Sequence, residues 1–157
     1  MGETEVIIEP DQLLTDGPLP GERISQVLTR VSADPRIGGV SSFAGLVRGD
    51  ENDAGRVTAI EFTAHRGIAE RSMNELIERM AGRYDSPVLH IYAEHALGRV
   101  SVGEIPVIIV VGSSHRAEAF GLCSDLLETL KAEVPIWGKE LTDTGKHQWK
   151  VNYQEPC

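Results

Sequence analysis

Cysteine is scarce in this sequence, with only two among 157 residues, Cys123 and Cys157. Neither belongs to a CxxC motif or to a group of Cys and His residues with the spacing of zinc ligands. The sequence therefore predicts neither a disulfide framework nor a metal site. Cys123 falls on the apolar face of a predicted helix and is expected in the core.

Long apolar runs and an excess of positive charge are also lacking. No apolar run approaches the roughly 20 residues that span a bilayer, and residues 1–5 lack the basic start of a signal peptide. We therefore expect a cytoplasmic protein without membrane contact. The net charge of −9 argues against a general nucleic-acid binder, so any anion must bind at a local basic cluster.

The composition is that of an ordinary globular protein, with 41% hydrophobic and 25% charged residues. The length of the chain suits one domain over residues 1–157. Apolar residues at helical spacing predict three main helices, over residues 24–31, 67–83 and 115–133.

Strand-like segments lie between these helices. Residues 38–47 and 57–63 predict a long hairpin around an acidic loop, and residues 105–111 form an apolar run typical of a strand buried on both faces. Residues 136–141 and 149–152 predict a closing hairpin. Strand pairs with inserted helices are typical of an α+β domain with a mixed, largely antiparallel sheet.

Two basic residues, His115 and Arg116, stand at the start of the third helix, directly after the buried strand. Unpaired backbone N–H groups at such a position favour a phosphate or a carboxylate. The alternative is that Arg116 is a solvated surface residue and that His115 only packs at the helix start. The two interpretations are evenly balanced, because basic residues oppose the helix dipole there.

Two lysines near the end of the third helix are further candidates. Lys131 lies at the edge of the apolar stripe, where a lysine that loses hydration suits proton transfer or nucleophilic chemistry. A stem that covers the core while the ammonium reaches water is the more frequent case. Pro135 and Trp137 predict a stiff bend that brings Lys139 near Lys131, but an edge strand with exposed charges is favoured when this segment is considered alone.

Weaker signals come from one arginine and three histidines. Arg48 ends an apolar run, so it either faces a cleft or pairs with an acidic residue of the following loop. His65, His90 and His95 lack the mutual spacing of metal ligands and are interpreted as structural or surface residues.

Six short motifs occur in one order between residues 38 and 150. They are GVSSFAGLVR at 39–48, HALG at 95–98, VGE at 102–104, SHRAEAF at 114–120, LK at 130–131 and VPIW at 134–137. As an ordered set they resemble the large subunit of molybdopterin synthase, over most of the chain.

This resemblance implies an α/β hammerhead-type fold and a homodimer that carries one small ubiquitin-like subunit at each end, as a heterotetramer. The C-terminal Gly-Gly tail of the small subunit ends in a thiocarboxylate. The tail gives its sulfur to cyclic pyranopterin monophosphate in two rounds and so forms the dithiolene of molybdopterin. No metal or organic cofactor is implied for this step.

The resemblance also implies roles for individual residues. Phe43 matches a pocket residue, and Lys131 matches the principal active-site lysine. Arg48, His115 and Arg116 match anion-binding residues, and the His-Arg pair is expected to reach into the site of the neighbouring subunit. Several fixed cations suit a reaction with two anionic reactants and a developing oxyanion.

One position departs from the family pattern, because Gly138 stands where a second lysine is usual. Lys139 follows it, but adjacent residues of a strand point to opposite faces. Lys139 therefore fits a catalytic role only if the backbone at Gly138 is irregular, which glycine permits. The departure keeps open the alternative of a non-catalytic paralogue that binds a ubiquitin-like sulfur-carrier protein.

Overall fold

A computed structural model describes residues 2–10 and 12–150 of the chain. Within these ranges, no helix is both long and apolar enough to cross a membrane. The described part of the chain contains three helices, α1 (Glu22–Val31), α2 (Arg66–Ala81) and α3 (Arg116–Glu133). The strands are β1 (Glu5–Glu9), β2 (Leu14–Asp16), β3 (Gly39–Ala44), β4 (Glu51–Asn52), β5 (Gly55–Thr63), β6 (Val88–Ser101), β7 (Val107–Ser113), β8 (Trp137–Thr142) and β9 (His147–Trp149).

The long strand β6 organises the sheet. Its first half pairs with β7 and its last residues pair with β5, both antiparallel, whereas β1 and β2 pair with it in parallel. The main path through the sheet is β3-β7-β6-β5-β8-β9. With three helices and a mixed, largely antiparallel sheet, the predicted α+β fold is confirmed.

The helices form where the apolar spacing predicts them, and their ends have physical causes. The ring of His65 accepts a hydrogen bond from the backbone N–H of Ile68 at 3.3 Å and so caps the start of α2. Pro135 follows the end of α3, which a proline cannot continue. The stripe of α2 is buried, through Ala69, Met73, Leu76, Ile77 and Met80.

Strand β7 confirms the prediction of a strand buried on both faces. All seven of its residues are buried. It lies between β3 and β6 in the sheet, and it also contacts α1 and α3. Cys123 on α3 is buried in this core, as predicted. Cys157 lies outside the described residues.

The predicted long hairpin between residues 38–47 and 57–63 is wrong. Strand β3 pairs with β7, whereas β5 pairs with β6 and β8 and forms only a short hairpin with β4. Small residues permit this position of β3 beside the start of α3. A Cβ on Gly38 would lie 2.2 Å from the carbonyl oxygen of Ser114, so only glycine fits there.

The predicted closing hairpin is confirmed as far as the structure describes it. Strand β8 pairs antiparallel with β9, and the turn between them contains Gly145 with a positive φ of 80°. Residues 151 and 152, the last two of the predicted second strand, lie outside the described residues.

Candidate active site

A cavity of about 90 Å³ lies where the last turn of α3 meets the middle of β6. We call it the Lys131 cavity. Several separate elements contribute to its wall, so it exists only in the folded chain. Its lining residues are Phe43, Gly45, Leu46, Phe62, His95, Pro106, Val107, Leu130, Lys131, Val134, Ile136 and Lys150.

Two of the six predicted site residues, Phe43 and Lys131, line this cavity together. Phe43 comes from β3, and Lys131 comes from the last turn of α3. The neighbouring Leu130 is only 5% exposed, whereas Lys131 is exposed to solvent. The stripe-edge position predicted for Lys131 is thus confirmed: its backbone is anchored by the core and its side chain remains free to meet a ligand.

His95 is the buried polar residue of the cavity, with 8% of its surface exposed. Its Nδ1 lies 2.7 Å from the carbonyl oxygen of Ala96, and its ring packs edge-on against Phe62 at 5.0 Å between centroids. Burial, with smaller contributions from the charges of Lys131 and Lys150, lowers the pKa of His95 to about 4. His95 is therefore neutral near pH 7, with its proton on Nδ1 and an acceptor at Nε2.

Lys150 is a second lysine at the same cavity. Its backbone N–H donates a hydrogen bond of 2.7 Å to the carbonyl oxygen of Gly138. Lys150 as a residue is exposed, but loss of hydration beside the cavity, followed by the charge of Lys131, lowers the pKa of its ammonium. The two lysines therefore repel each other across the cavity.

Arg48 lies on the loop after β3, with 81% of its side chain exposed. It pairs with Asp50 at 3.1 Å, which is one of the two alternatives that the sequence left open. The charges of both residues also act on Lys150. Arg48 does not line the cavity, but it lies close enough to Lys150 to contribute positive charge nearby.

Lys139 lies away from the cavity. Its ammonium is 3.9 Å from a carboxylate oxygen of Glu61 and 5.9 Å from the centroid of the Trp149 ring. The strand is regular here, with Gly138 opposite Phe62 and Lys139 opposite Glu61. A catalytic role for Lys139 requires an irregular backbone at Gly138, and β8 has none there. The register shift in the pairing of β5 with β8 lies elsewhere, between Val57 and Ala59.

His115 and Arg116 also lie away from the cavity of their own chain. Both are exposed at the start of α3, whereas Lys131 belongs to its last turn. The 15 residues from Arg116 to Lys131 span about 22 Å of helix. His115 occupies the N-cap position of α3, and its side chain makes no capping hydrogen bond.

Sequence reasoning missed two cavity residues, His95 and Lys150. His95 failed the test of metal-ligand spacing, and its place in the HALG motif was the signal that could have found it. No local signal marks Lys150, because its position depends on the pairing of its backbone with Gly138 on the preceding strand. His65 and His90 are structural, as predicted: His65 caps α2, and His90 lies 3.1 Å from Asp34.

The chemistry available here is the binding of an anion in a small cavity that combines basic and apolar side chains. Two ammonium groups and a neutral imidazole line the cavity, which otherwise has mainly apolar walls. Such a site binds a carboxylate or phosphate group and stabilises an oxyanion. Across residues 2–10 and 12–150, no three His, Cys, Asp or Glu side chains are grouped to hold a metal ion.

Comparison of the sequence with known proteins identifies its relatives. The family model described as MoaE protein matches residues 15–133. A molybdopterin synthase catalytic subunit from Thermoplasma volcanium is 35% identical over 115 residues, which are 73% of this chain and 82% of that protein. Molybdopterin synthase catalytic subunit 1 of Mycobacterium tuberculosis is 36% identical over 132 residues, 84% of this chain and 85% of that one.

Solved structures share the fold. Molybdopterin synthase from Staphylococcus aureus superposes with a TM-score of 0.73 at 23% identity and covers 96% of this chain and 98% of its own. A Helicobacter pylori complex of subunits 1 and 2 of molybdopterin-converting factor gives a TM-score of 0.69 at 18% identity, over 93% and 88% of the two chains. The solved structures show a shared fold, and the family model and the sequence relatives also show the family. The chain belongs to the MoaE family of molybdopterin synthase catalytic subunits.

Proposed function

We propose that this chain catalyses sulfur transfer from the C-terminal thiocarboxylate of a small ubiquitin-like subunit to cyclic pyranopterin monophosphate, which forms the dithiolene of molybdopterin. The observation that carries the proposal is the Lys131 cavity itself. In a member of this family, it combines a lysine at the end of α3 with Phe43 and a neutral His95.

The shape of the cavity supports a narrow peptide tail as one reactant. A volume of about 90 Å³ between Phe43, Phe62 and Val107 suits an extended segment without side chains, such as Gly-Gly. Leu46, which is 59% exposed, also lines the cavity and offers apolar surface to a partner. The Helicobacter pylori relative is itself a protein–protein complex of two converting-factor subunits.

The charges of the cavity support the chemistry. The sulfur of the thiocarboxylate attacks a side-chain carbon of the pterin and displaces an oxygen substituent there, which gives a thioester between the tail and the pterin. Water then adds to the thioester carbonyl, the bond between the sulfur and the carbonyl carbon breaks, the sulfur stays on the pterin, and the tail leaves as a carboxylate. Attack of water on that carbonyl develops an oxyanion. The ammonium of Lys131 stabilises this charge inside an apolar wall, where an electrostatic interaction is stronger than in water.

The position of His115 and Arg116 supports a site shared between two copies. Roughly 22 Å of helix separates Arg116 from Lys131, so the two cannot meet within one chain. A second copy, placed with the start of its α3 near this cavity, brings them together. We therefore propose the homodimer, and the heterotetramer with two small subunits, as the active assembly.

A second candidate function is a binding module for a ubiquitin-like sulfur carrier that does not catalyse. Gly138 favours it, because position 138 offers no lysine and Lys139 pairs with Glu61 instead. The Lys131 cavity itself argues for catalysis.

Reconstitution separates the two candidates. The purified chain is mixed with a thiocarboxylated small subunit and cyclic pyranopterin monophosphate, and molybdopterin is quantified after oxidation to a fluorescent product. Formation of molybdopterin by the unmodified chain, and none by Lys131→Ala, supports the enzyme. Tight binding of the small subunit without product supports the binding module, and neither binding nor product contradicts both.

A further inference from the structure

Lys150 is a cavity lysine to which neither the motif set nor the family pattern assigns a role. We propose that Lys150 is the second anion-binding lysine of the Lys131 cavity, where it contacts an anionic group of a reactant beside Lys131. The proposal rests on the proposed function for the identity of the reactants, but not for the presence of the anion site.

The pairing of β8 with β9 places Lys150 on the cavity side of the hairpin. Leu141 lies opposite His147, and Lys139 lies opposite Trp149. The next pair, one step further from the turn, is Gly138 with Lys150, joined by the 2.7 Å hydrogen bond from the Lys150 N–H to the Gly138 carbonyl oxygen. Because opposite residues share a face and adjacent residues alternate, Lys150 and Gly138 share one face, and Lys139 and Trp149 share the other.

The face shared by Lys150 and Gly138 is the face of the cavity. A Cβ built on Gly138 points at Ile60 and Phe62, at 3.0 Å and 3.3 Å, and Phe62 lines the cavity. Gly138 therefore leaves this part of the wall without a side chain of its own. Lys150, on the adjacent chain segment, supplies the cation that β8 lacks there.

The electrostatics of Lys150 agree with an anion site. The charged groups that act on it are Lys131 and Arg48, which lower its pKa, and Glu140 and Asp50, which raise it. Asp50 is already paired with Arg48, and the side chain of Glu140 accepts a hydrogen bond from Asn52 at 2.8 Å. Two lysines in one small cavity repel each other, and an anion bound between them relieves that repulsion.

Lys139, another lysine of the hairpin, does not compete for this role. Lys139 stands on the opposite face, beside Glu61 and the Trp149 ring. An exchange of roles between Lys139 and Lys150 requires a one-residue slip of β8, and such a slip turns every side chain of the strand to its other face.

The test uses the full complex with its small subunit and compares Lys150→Ala, Lys150→Arg and the control Lys146→Ala. Lys146 is an exposed lysine of the same hairpin that does not line the cavity. We expect Lys150→Ala to lower kcat/KM for molybdopterin formation about 10²-fold, as for one well-placed electrostatic group. Lys150→Arg keeps the charge and retains activity within about tenfold, and Lys146→Ala is unchanged.

Binding measurements identify the anion and keep the test independent of turnover. Calorimetry compares Lys150→Ala with the unmodified protein for cyclic pyranopterin monophosphate, and separately for the small subunit with and without its terminal glycines. We expect about a tenfold or greater loss of affinity for one of the two anions. Thermal unfolding of each variant shows whether the fold is intact, and Lys150→Gln, which also removes the charge, replaces Lys150→Ala if that variant does not fold.

The outcomes separate this proposal from the proposed function. If the unmodified complex makes no molybdopterin, the proposed function fails, and the calorimetric comparison still decides the role of Lys150. If Lys150→Ala retains both affinities and kcat/KM within about twofold, Lys150 binds no reactant and the proposal is overturned.

Discussion

The two ends of α3 differ in what surrounds them. At the C-terminal end of α3, Lys131 lines a small cavity. The neutral His95, Lys150 and apolar side chains form the rest of the wall. At the start of α3, His115 and Arg116 are exposed and lie at no part of that cavity. The C-terminal end of α3 therefore has a cavity lined by two lysines, whereas the two basic residues at its N-terminal end lie outside that cavity.

This difference suggests where a protein of net charge −9 would bind the two anionic reactants of the proposed reaction. A chain with this overall charge cannot attract them through its general field, so cations must converge at one place. Among residues 2–10 and 12–150 of one chain, the basic side chains that converge at the cavity are Lys131 and Lys150, with Arg48 nearby. In the proposed homodimer, a second copy adds His115 and Arg116 from the other end of its own α3.

Removing the lysine at the cavity end of α3 should have the largest effect. Lys131→Ala is expected to lower kcat/KM for molybdopterin formation by at least about 10³-fold, because the developing oxyanion loses its nearest cation. The free energy of unfolding should fall by no more than ~1 kcal/mol, since the side chain is exposed and contributes little packing. Near-normal turnover by the variant excludes Lys131 from the mechanism.

Because His95 is buried at the cavity, the stability of the protein should depend on pH. The pKa of His95 is lowered to about 4, so between pH 6.5 and that value the unfolded chain binds a proton that the folded chain does not. Stability is therefore lost as pH falls through this window, by up to roughly 3 kcal/mol from this group. Above pH 6.5 this loss is absent.

Urea unfolding at about pH 7 and about pH 4.5 checks this expectation. His95→Gln removes the titrating ring. The free energy of unfolding of this variant should therefore fall less between the two pH values than that of the unmodified protein. His115→Gln, at the other end of α3, is the matched histidine control. An equal loss in His95→Gln and the unmodified protein shows that His95 does not carry this effect.

At the start of α3, Arg116→Ala should reduce activity although the residue is far from the cavity of its own chain. We expect a loss of about 10²-fold in kcat/KM, because one cation of the shared site is removed. Light scattering at micromolar concentration should still give the mass of a dimer. A monomeric unmodified protein, or full activity of Arg116→Ala, rules out the shared site.

The smallest expected effect concerns the wall beside Lys150. Gly138→Lys in the Lys150→Ala background returns a cation to the same face, and we expect it to restore kcat/KM about tenfold relative to Lys150→Ala alone. Recovery is partial, because the new Cβ lies 3.0 Å from Ile60 and that side chain must shift. If kcat/KM does not recover in a double variant whose thermal unfolding is unchanged, a lysine at position 138 is not equivalent to the lysine at position 150.

Local patterns predicted the helices and the buried strand β7, because helical spacing and an unbroken apolar run need no knowledge of the rest of the chain. Strand pairing was harder. Residues 38–47 and 57–63 look like a hairpin in sequence, but β3 pairs with β7, some 70 residues away. Pairing partners depend on burial across the whole sheet, which no local window contains.

The candidate site was predictable to the extent that its residues lie in motifs. Phe43 and Lys131 belong to such motifs and share the cavity. Lys150 does not, and its place follows only from the hydrogen bond to Gly138 across the hairpin. Lys139 was the natural candidate from sequence alone, since it is next to Gly138, but strand alternation turns it to the other face.

A mixture of two inactive variants tests most directly the claim that the two ends of α3 from different copies form one site. Lys131→Ala and Arg116→Ala proteins are combined in equal amounts, allowed to exchange subunits, and assayed with the small subunit and cyclic pyranopterin monophosphate. Half of the dimers are then mixed, and each has one intact site, so about one quarter of the unmodified activity should return. Activity that stays at the level of the separate variants, with mixed dimers shown to form, contradicts the account.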